Sequence, residues 1–312
     1  MMKSLLLWLS LVSFLWIGSA SQAAVVERVS ISLGLLPVID TLPLIVAEKR
    51  GFFEEQGIEA RFLYFSSALE RDVALQSGKV DAYFGDLLNT LLLINSGQRL
   101  AILTSVMRTD PRQRMFALLA SPQSKITDVR QLAGESVAIS KASVIEYVLD
   151  GMLSGSAVRP DRVRKMEVRA IPIRYQMLMA GQVKSALLPE PLATKAESEG
   201  ARVLADDRAL NTTLTVVALK RDLLSRYPSL PARFVAAYDR AVRAIEENPD
   251  AFMDLLVERT QFPASLKGRF RVPLFPRPEK PRRQDVLSIS KWLKERGLIS
   301  TTAAYETIVA PW

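Results

Sequence analysis

Two stretches of this chain carry the same pattern, and that constrains its fold more than any other feature. Residues 75–86 read Leu75-Gln-Ser-Gly78-Lys-Val80-Asp-Ala-Tyr-Phe84-Gly85-Asp86, and residues 178–190 read Leu178-Met-Ala-Gly181-Gln-Val183-Lys-Ser-Ala-Leu187-Leu188-Pro189-Glu190. Each reads as a helix end, a glycine stop, a short buried strand and a carboxylate. Glycine takes positive φ without steric cost, so it commonly ends a helix. The apolar run behind it suits a parallel strand covered on both faces. The carboxylate then falls at the strand's carboxyl end, where open α/β sheets place their ligands. The copies lie too far apart for a solenoid repeat. They predict equivalent elements of two lobes facing each other across a cleft.

The first two dozen residues read as an address. Lys3 supplies a positive start, Leu5 to Ile17 is apolar apart from Ser10 and Ser13, and Ser21-Gln-Ala23 offers small residues for cleavage. This is the three-part secretory pattern, with an apolar core shorter than the about 20 residues that span a bilayer. Residues 1–23 are therefore expected to be a signal peptide, and the mature protein to be free in a periplasm. The 312 residues contain no cysteine, which leaves neither a lipid-attachment thiol nor a disulfide, so an ordinary core must hold the fold. There is no histidine either. Imidazole base catalysis, Ser–His–Asp and Cys–His nucleophiles and finger-type zinc sites are thereby excluded. No metal site and no cofactor is expected. The net charge of +8 falls by one when Lys3 leaves with the leader. The basic residues are scattered, and the denser clusters at 159–169 and 269–283 are not interleaved with aromatics, so no nucleic-acid partner is expected.

About 290 mature residues fit two lobes of ordinary size. Strands are predicted at 29–35, 58–65, 80–85 and 100–107, alternating with helices at 42–50, 67–78 and 86–95. Ser67-Ala-Leu-Glu70 has capping-box spacing. Such alternation indicates βαβ units and a largely parallel sheet. The polar stretch Arg108 to Arg114 interrupts it and reads as a crossing between lobes. Alternation restarts at Met115 and runs to about Leu204, and a Thr- and Val-rich strand at 211–219 reads as the return crossing. The remainder is predicted helical. Lobe 1 is thus expected to comprise residues 27–112 and 213–312, the latter being its helical C-terminal region. Lobe 2 is expected to comprise residues 115–212. Two crossings make a hinge, and hinged lobes that close over a ligand are a common switching device.

At Pro43-Leu-Ile-Val-Ala47-Glu-Lys-Arg-Gly51-Phe52-Phe53-Glu-Glu-Gln-Gly57-Ile58 the sequence resembles the substrate-binding proteins of ABC importers for sulfonates, nitrate and thiamine-pyrimidine precursors. Later marks of that family follow in order: Ser77-Gly78-Lys-Val80-Asp81-Ala82, Asp128 to Gly134 before Val137-Ala138-Ile139, Gly181-Gln-Val183 and Pro189-Glu190-Pro191. The likeness covers residues 28–300. It implies an α/β, two-lobed periplasmic binding-protein fold of type II, with two interdomain crossings and ligand between the lobes. Two positions depart from the pattern. Ser140-Lys141-Ala142-Ser143 stands where the family often has a glycine-containing anion loop, and Lys184 stands where the first copy has Asp81.

The loops at strand carboxyl ends supply the candidate ligand-binding residues: Asp40, Thr41, Ser66, Ser67, Asp86, Asn89, Arg108, Ser140, Ser143 and Glu190. Several have a purely structural alternative. Ser67, Asp86 and Ser143 suit helix N-caps, Asp40 can favour a helix dipole, and Arg108 can line the hinge. Glu190 lies between prolines, which stiffen its backbone. Carboxylates with hydroxyls suit a polar ligand bearing an amine or ring nitrogens at least as well as a bare anion, which would call on Arg108 and Lys141. The leading expectation is a monomeric, non-enzymatic receptor that presents a small polar solute to an ABC permease in the inner membrane. A periplasmic ligand sensor is one alternative. The other is an enzyme of the same fold, of the thiamine-pyrimidine or menaquinone-route type. The resemblance implies a histidine for the pyrimidine synthase, and this chain has none.

Overall fold

The computed structural model describes residues 27–312, so the leader expected at 1–23 lies outside the described residues. The chain builds two five-stranded sheets. In the first, the strand β1 (Val29–Leu35) is followed by α1 (Leu42–Lys49), α2 (Phe52–Glu55), β2 (Ile58–Tyr64), α3 (Ala68–Gln76), β3 (Ala82–Asp86), α4 (Leu87–Asn95) and β4 (Leu100–Arg108). The second holds β5 (Phe116–Ala120), β6 (Ser136–Ile139), α5 (Val144–Gly155), β7 (Arg164–Glu167), α6 (Ile171–Met179), β8 (Ser185–Pro189), α7 (Leu192–Ser198) and β9 (Arg202–Asp206). Then β10 (Thr213–Lys220) returns to the first sheet. The helices α8 (Arg221–Arg226), α9 (Leu230–Glu247), α10 (Met253–Arg259), α11 (Arg283–Glu295) and α12 (Tyr305–Ile308) complete the chain.

The strand orders are β2-β1-β3-β10-β4 and β7-β6-β8-β5-β9. They are the same order, with β5 and β10 in matching places. Each of those two strands runs antiparallel to both neighbours and is the first strand after a crossing. The other strands of each sheet run parallel, as the helix–strand alternation requires.

Local sequence explains the elements that aim the site. Pro43 sits in the first turn of α1, where its missing N–H costs nothing. Gly51, at φ 71°, takes the left-handed conformation that ends α1 and opens α2. The amphipathic α9 lays Phe234, Tyr238, Ala241 and Val242 inward, and Phe53 of α2 meets Phe234 with ring centroids 5.0 Å apart. Burying a phenylalanine or valine side chain in this way contributes about 1.5–3 kcal/mol. The helix α6 starts at Ile171, with Pro172 in its first turn.

Where the chain passes between sheets, the two crossings lie side by side. Thr109 N donates to Thr212 O at 3.0 Å, and Thr212 N donates to Thr109 Oγ1 at 3.0 Å. Asp207 Oδ1 accepts Met115 N at 2.9 Å and Phe116 N at 3.0 Å, tying the second crossing to the start of β5. A further contact joins α5 to α11. Asp150 accepts Trp292 Nε1 at 3.0 Å and an Arg296 guanidinium N–H, while Tyr147 meets Trp292 edge-on at 5.8 Å.

Candidate functional site

On the first sheet, the carboxyl edge is organised by Thr215. It lies directly opposite Asp86 in the β10–β3 register, and its Oγ1 donates to Asp40 Oδ2 at 3.2 Å. Asp40 occupies a 3-10 turn between β1 and α1, where the neighbouring Thr41 is buried and donates to Val38 O at 2.6 Å. Asp86 caps α4, its Oδ1 accepting Asn89 N at 2.6 Å. Two carboxylates thus flank one threonine. Burial pushes the Asp40 carboxyl up to about 6; the Thr215 hydroxyl opposes the rise and the charge of Asp207 adds to it. Burial also raises the Asp86 carboxyl, against the opposing Asn89 N–H. Both acids sit where a hydrogen-bond donor or a positive group is favoured.

Behind that edge lies a closed polar network. Arg71 of α3 is 1% exposed and directs Nε and Nη2 to Asp72 Oδ1 at 3.0 and 2.8 Å, with Nη1 on Phe84 O at 2.8 Å. Its guanidinium lies 4.4 Å from the centroid of the Tyr83 ring, and burial pushes that phenol up to about 12. Asn89 Nδ2 closes the network through Asp72 Oδ2 at 3.0 Å and Tyr83 OH at 3.3 Å. Gly85 is required here, since a Cβ would lie 2.4 Å from the Tyr83 ring. Ser66 and Ser67 are exposed at the start of α3. Ser67 Oγ accepts Glu70 N at 3.2 Å, and the Glu70 carboxylate accepts Ser66 N and Oγ at 3.2 and 2.7 Å. Their hydroxyls serve the helix start.

In the second lobe the loop after β6 carries Ser140 and Ser143. Ser143 caps α5, accepting Ile145 N at 3.2 Å and donating to Ser140 O at 2.7 Å. Ser140 Oγ accepts Arg174 Nη1 at 3.1 Å. Between them Ala142 holds φ 51°, a left-handed conformation uncommon outside glycine. Glu190 was expected to face the cleft, and both its oxygens are engaged by neighbouring protein groups. Arg114 Nε donates to Oε1 at 2.7 Å and Thr194 N to Oε2 at 2.9 Å, leaving the side chain 3% exposed. Arg108 lies at the crossings, donating to Glu279 Oε1 at 3.3 Å and Asn211 Oδ1 at 3.0 Å. The structure therefore brings Asp40, Asp86 and Asn89 together on one lobe and Ser140 with Ser143 on the other. Glu190 pairs with Arg114, and Arg108 pairs with Glu279.

Thr215, Asp207 and Arg174 were missed by the sequence reading. Asp207 is fully buried, with its Oδ2 unpartnered among the described residues, and burial pushes its carboxyl up to about 6. Arg174 had a signal just upstream of the repeated pattern: it precedes Gly181 by the same spacing as Arg71 precedes Gly78. No group of three or more acids capable of holding a metal ion occurs among the described residues.

Two sheets of matching strand order joined by two crossings form the fold shared with periplasmic substrate-binding proteins of ABC importers. The chain belongs to the NMT1/THI5-like family, whose model matches residues 39–252. Among solved structures it is similar to the periplasmic aliphatic sulphonate-binding protein SsuA of Escherichia coli. The TM-score is 0.78 at 16% identity, over 91% of this chain and 98% of that one. The desulfurization enzyme DszB shares the fold at a TM-score of 0.66 and 18% identity, over 91% and 97% of the two chains. Among characterised sequences, the riboflavin-binding protein RibY of Chloroflexus aurantiacus is 22% identical over 243 residues. That match spans 74% of this chain and 66% of RibY.

Proposed function

We propose that this protein captures a small polar solute between its lobes and hands it to an ABC permease in the membrane, without transforming it. The lobes are assigned as residues 27–112 with 213–312, and 115–212. The observation that carries the reading is the pair of carboxylates, Asp40 and Asp86, flanking Thr215 at the carboxyl edge of a sheet. Burial raises both, so each gains from a ligand N–H or ammonium that replaces lost water. Asn89, Ser140 and Ser143 complete the site, and Thr41 holds the turn that presents Asp40. RibY and SsuA bracket the ligands that related sites hold, a riboflavin-binding protein and an aliphatic-sulphonate-binding protein. No helix among the described residues is long and apolar enough to cross a membrane, which supports placing the mature chain in the periplasm after removal of residues 1–23.

Native mass spectrometry of protein released gently from the cell envelope tests this reading. A retained small molecule of constant mass, recovered unchanged after incubation, is the expected result. A molecule converted during incubation would place the protein with the enzymes of this fold. A chain that retains no solute, and binds none from an extract of the growth medium, would overturn solute capture.

A further inference from the structure

Asp207 and Asp40 come from different assigned lobes and act on each other. Asp207 opens the 3-10 turn Asp207–Ala209, which follows β9 and leads into the second crossing. Its Oδ1 takes the N–H groups of Met115 and Phe116 at the start of β5, which fixes the carboxyl at the edge of the second sheet. Its Oδ2 has no partner among the described residues, and the residue is 0% exposed. Asp40 is only partly buried, and its side-chain partner is the Thr215 hydroxyl. The two acids lie near enough that the charge of Asp207 raises the Asp40 carboxyl.

No cation balances this pair. Among the described residues neither carboxylate stands in an ion pair, and the charged groups around them are engaged with one another. Asp206, beside Asp207, pairs with Arg208 at 2.6 Å. At the crossings Arg114 pairs with Glu190 and Glu197, and Arg108 with Glu279. The helix α5 packs on the turn and carries Tyr147 with Glu146 and Asp150, both held by Lys165. On the first sheet, Tyr238 of α9 feels the charge of Asp40, which raises its phenol further. Asp86, across Thr215, differs in having the Arg71 guanidinium to oppose the rise of its carboxyl. Two neighbouring carboxyls in low dielectric do not both ionise without cost, so the empty site holds a proton or takes a cation from outside.

We propose that Asp207 is a positioning residue that, acting through Asp40 rather than by contact, makes the site select a solute group of formal positive charge, an ammonium or amidinium, over a neutral N–H donor. This rests on the solute-capture reading and adds the charge of the captured group. Asp40 supplies the contact, and Asp207 supplies a second negative charge behind it. A cation seated on Asp40 is attracted by both, whereas a neutral N–H gains only its hydrogen bond to the first.

The test compares methylguanidinium with N-methylurea, its neutral isostere, by calorimetry at fixed ionic strength between pH 5 and 8. Methylguanidinium, like arginine, does not titrate in this range. At pH 8 wild-type protein is expected to prefer the cation by about tenfold or more. That preference should fall as pH drops through about 6, where the pair takes up its proton. Asp207→Asn keeps an acceptor for the Met115 and Phe116 N–H groups. It should cut the preference at pH 8 by about fivefold and move the midpoint to lower pH, because Asp40 loses its charged neighbour. A merely structural role would weaken both probes alike and leave the midpoint in place. An unchanged ratio and midpoint in the folded variant overturn the proposal, as does a wild-type protein that shows no cation preference or one indifferent to pH. Should the variant not fold, the Asp207 carboxyl signal of wild-type protein, followed by carbon-13 NMR, decides. Its midpoint should fall when methylguanidinium is added, and a midpoint that does not move overturns the proposal. A retained solute without a positive charge, found by native mass spectrometry, would overturn it too, while leaving solute capture standing.

Discussion

Thr109 of the first crossing and Thr212 of the second are bonded to each other in both directions, main chain to main chain and main chain to side chain. The Thr109 hydroxyl also donates to Leu210 O. Thr109→Val keeps the shape and removes those side-chain bonds, leaving Thr212 N without its acceptor. The expected loss is about 1–3 kcal/mol of unfolding free energy, with a wider distribution of interlobe distances by X-ray scattering. Unchanged scattering and unchanged denaturation midpoint would contradict a hinge held at this point.

The seam between α5 and α11 gives a second prediction. Asp150 is 6% exposed and serves Trp292, Arg296 and Lys165 at once. Asp150→Asn removes the charge that two cations share, and should cost about 3 kcal/mol, the low end for breaking a buried ion pair. Trp292→Phe keeps the ring against Tyr147 and removes only the N–H, so its expected cost is nearer 1 kcal/mol. Chemical denaturation of both variants measures the order, and equal effects would argue against a charge-centred contact.

Stability should rise as pH falls from about 7 to about 4. Asp207 has its carboxyl raised from 3.8 to about 6, so between those values the folded state holds a proton that the unfolded state has released. Folding is therefore favoured by protons in that window, and the effect is lost as pH rises through about 6. For this fully buried group it amounts to at most about 3 kcal/mol. Asp40 adds in the same direction. The lowered carboxyls oppose it as pH falls through their ordinary values near 4, as at Asp128, which its bonds to Arg130 lower to about 2. Melting temperature against pH should rise towards 4 in the wild type and flatten in Asp207→Asn, whose Oδ1 still accepts from Met115 and Phe116.

The Arg114–Glu190 pair is predicted to matter for stability and little for ligand. Glu190→Gln keeps an acceptor for Thr194 N but gives up the charge facing Arg114. A fall in denaturation midpoint with ligand affinity within threefold of wild type is expected. A tenfold loss of affinity at unchanged stability would return Glu190 to the cleft.

Much of the fold was legible because its determinants are local. Pro43, Gly51, Ser67-Ala-Leu-Glu70 and the glycines before β3 and β8 fix element ends through backbone sterics and capping, which act within a few residues. The site was legible only to the level of loops. Asp86 was readable as a cap, but its link to Asp40 through Thr215 depends on a strand that arrives from the far crossing. Glu190 looked like the counterpart of Asp86, yet its partner Arg114 lies 76 residues away in sequence. Spacing cannot report such pairings. Arg174 is a further case: it stands seven residues before Gly181 as Arg71 stands before Gly78, just outside the repeated stretches, and its contacts with Ser140 and Val168 are of the kind that spacing does not report.

Calorimetric titration of the retained solute into wild-type, Asp40→Asn and Asp86→Asn protein tests the central claim most directly. Asparagine preserves size and, at position 86, an acceptor for Asn89 N, so the fold should persist with little change in melting temperature. A charge-assisted hydrogen bond in a buried site is worth about 1.5–3 kcal/mol, or roughly tenfold to a hundredfold in affinity. Each variant is predicted to lose that much. Affinity unchanged in both would contradict a ligand held between these lobes by the carboxylates that flank Thr215.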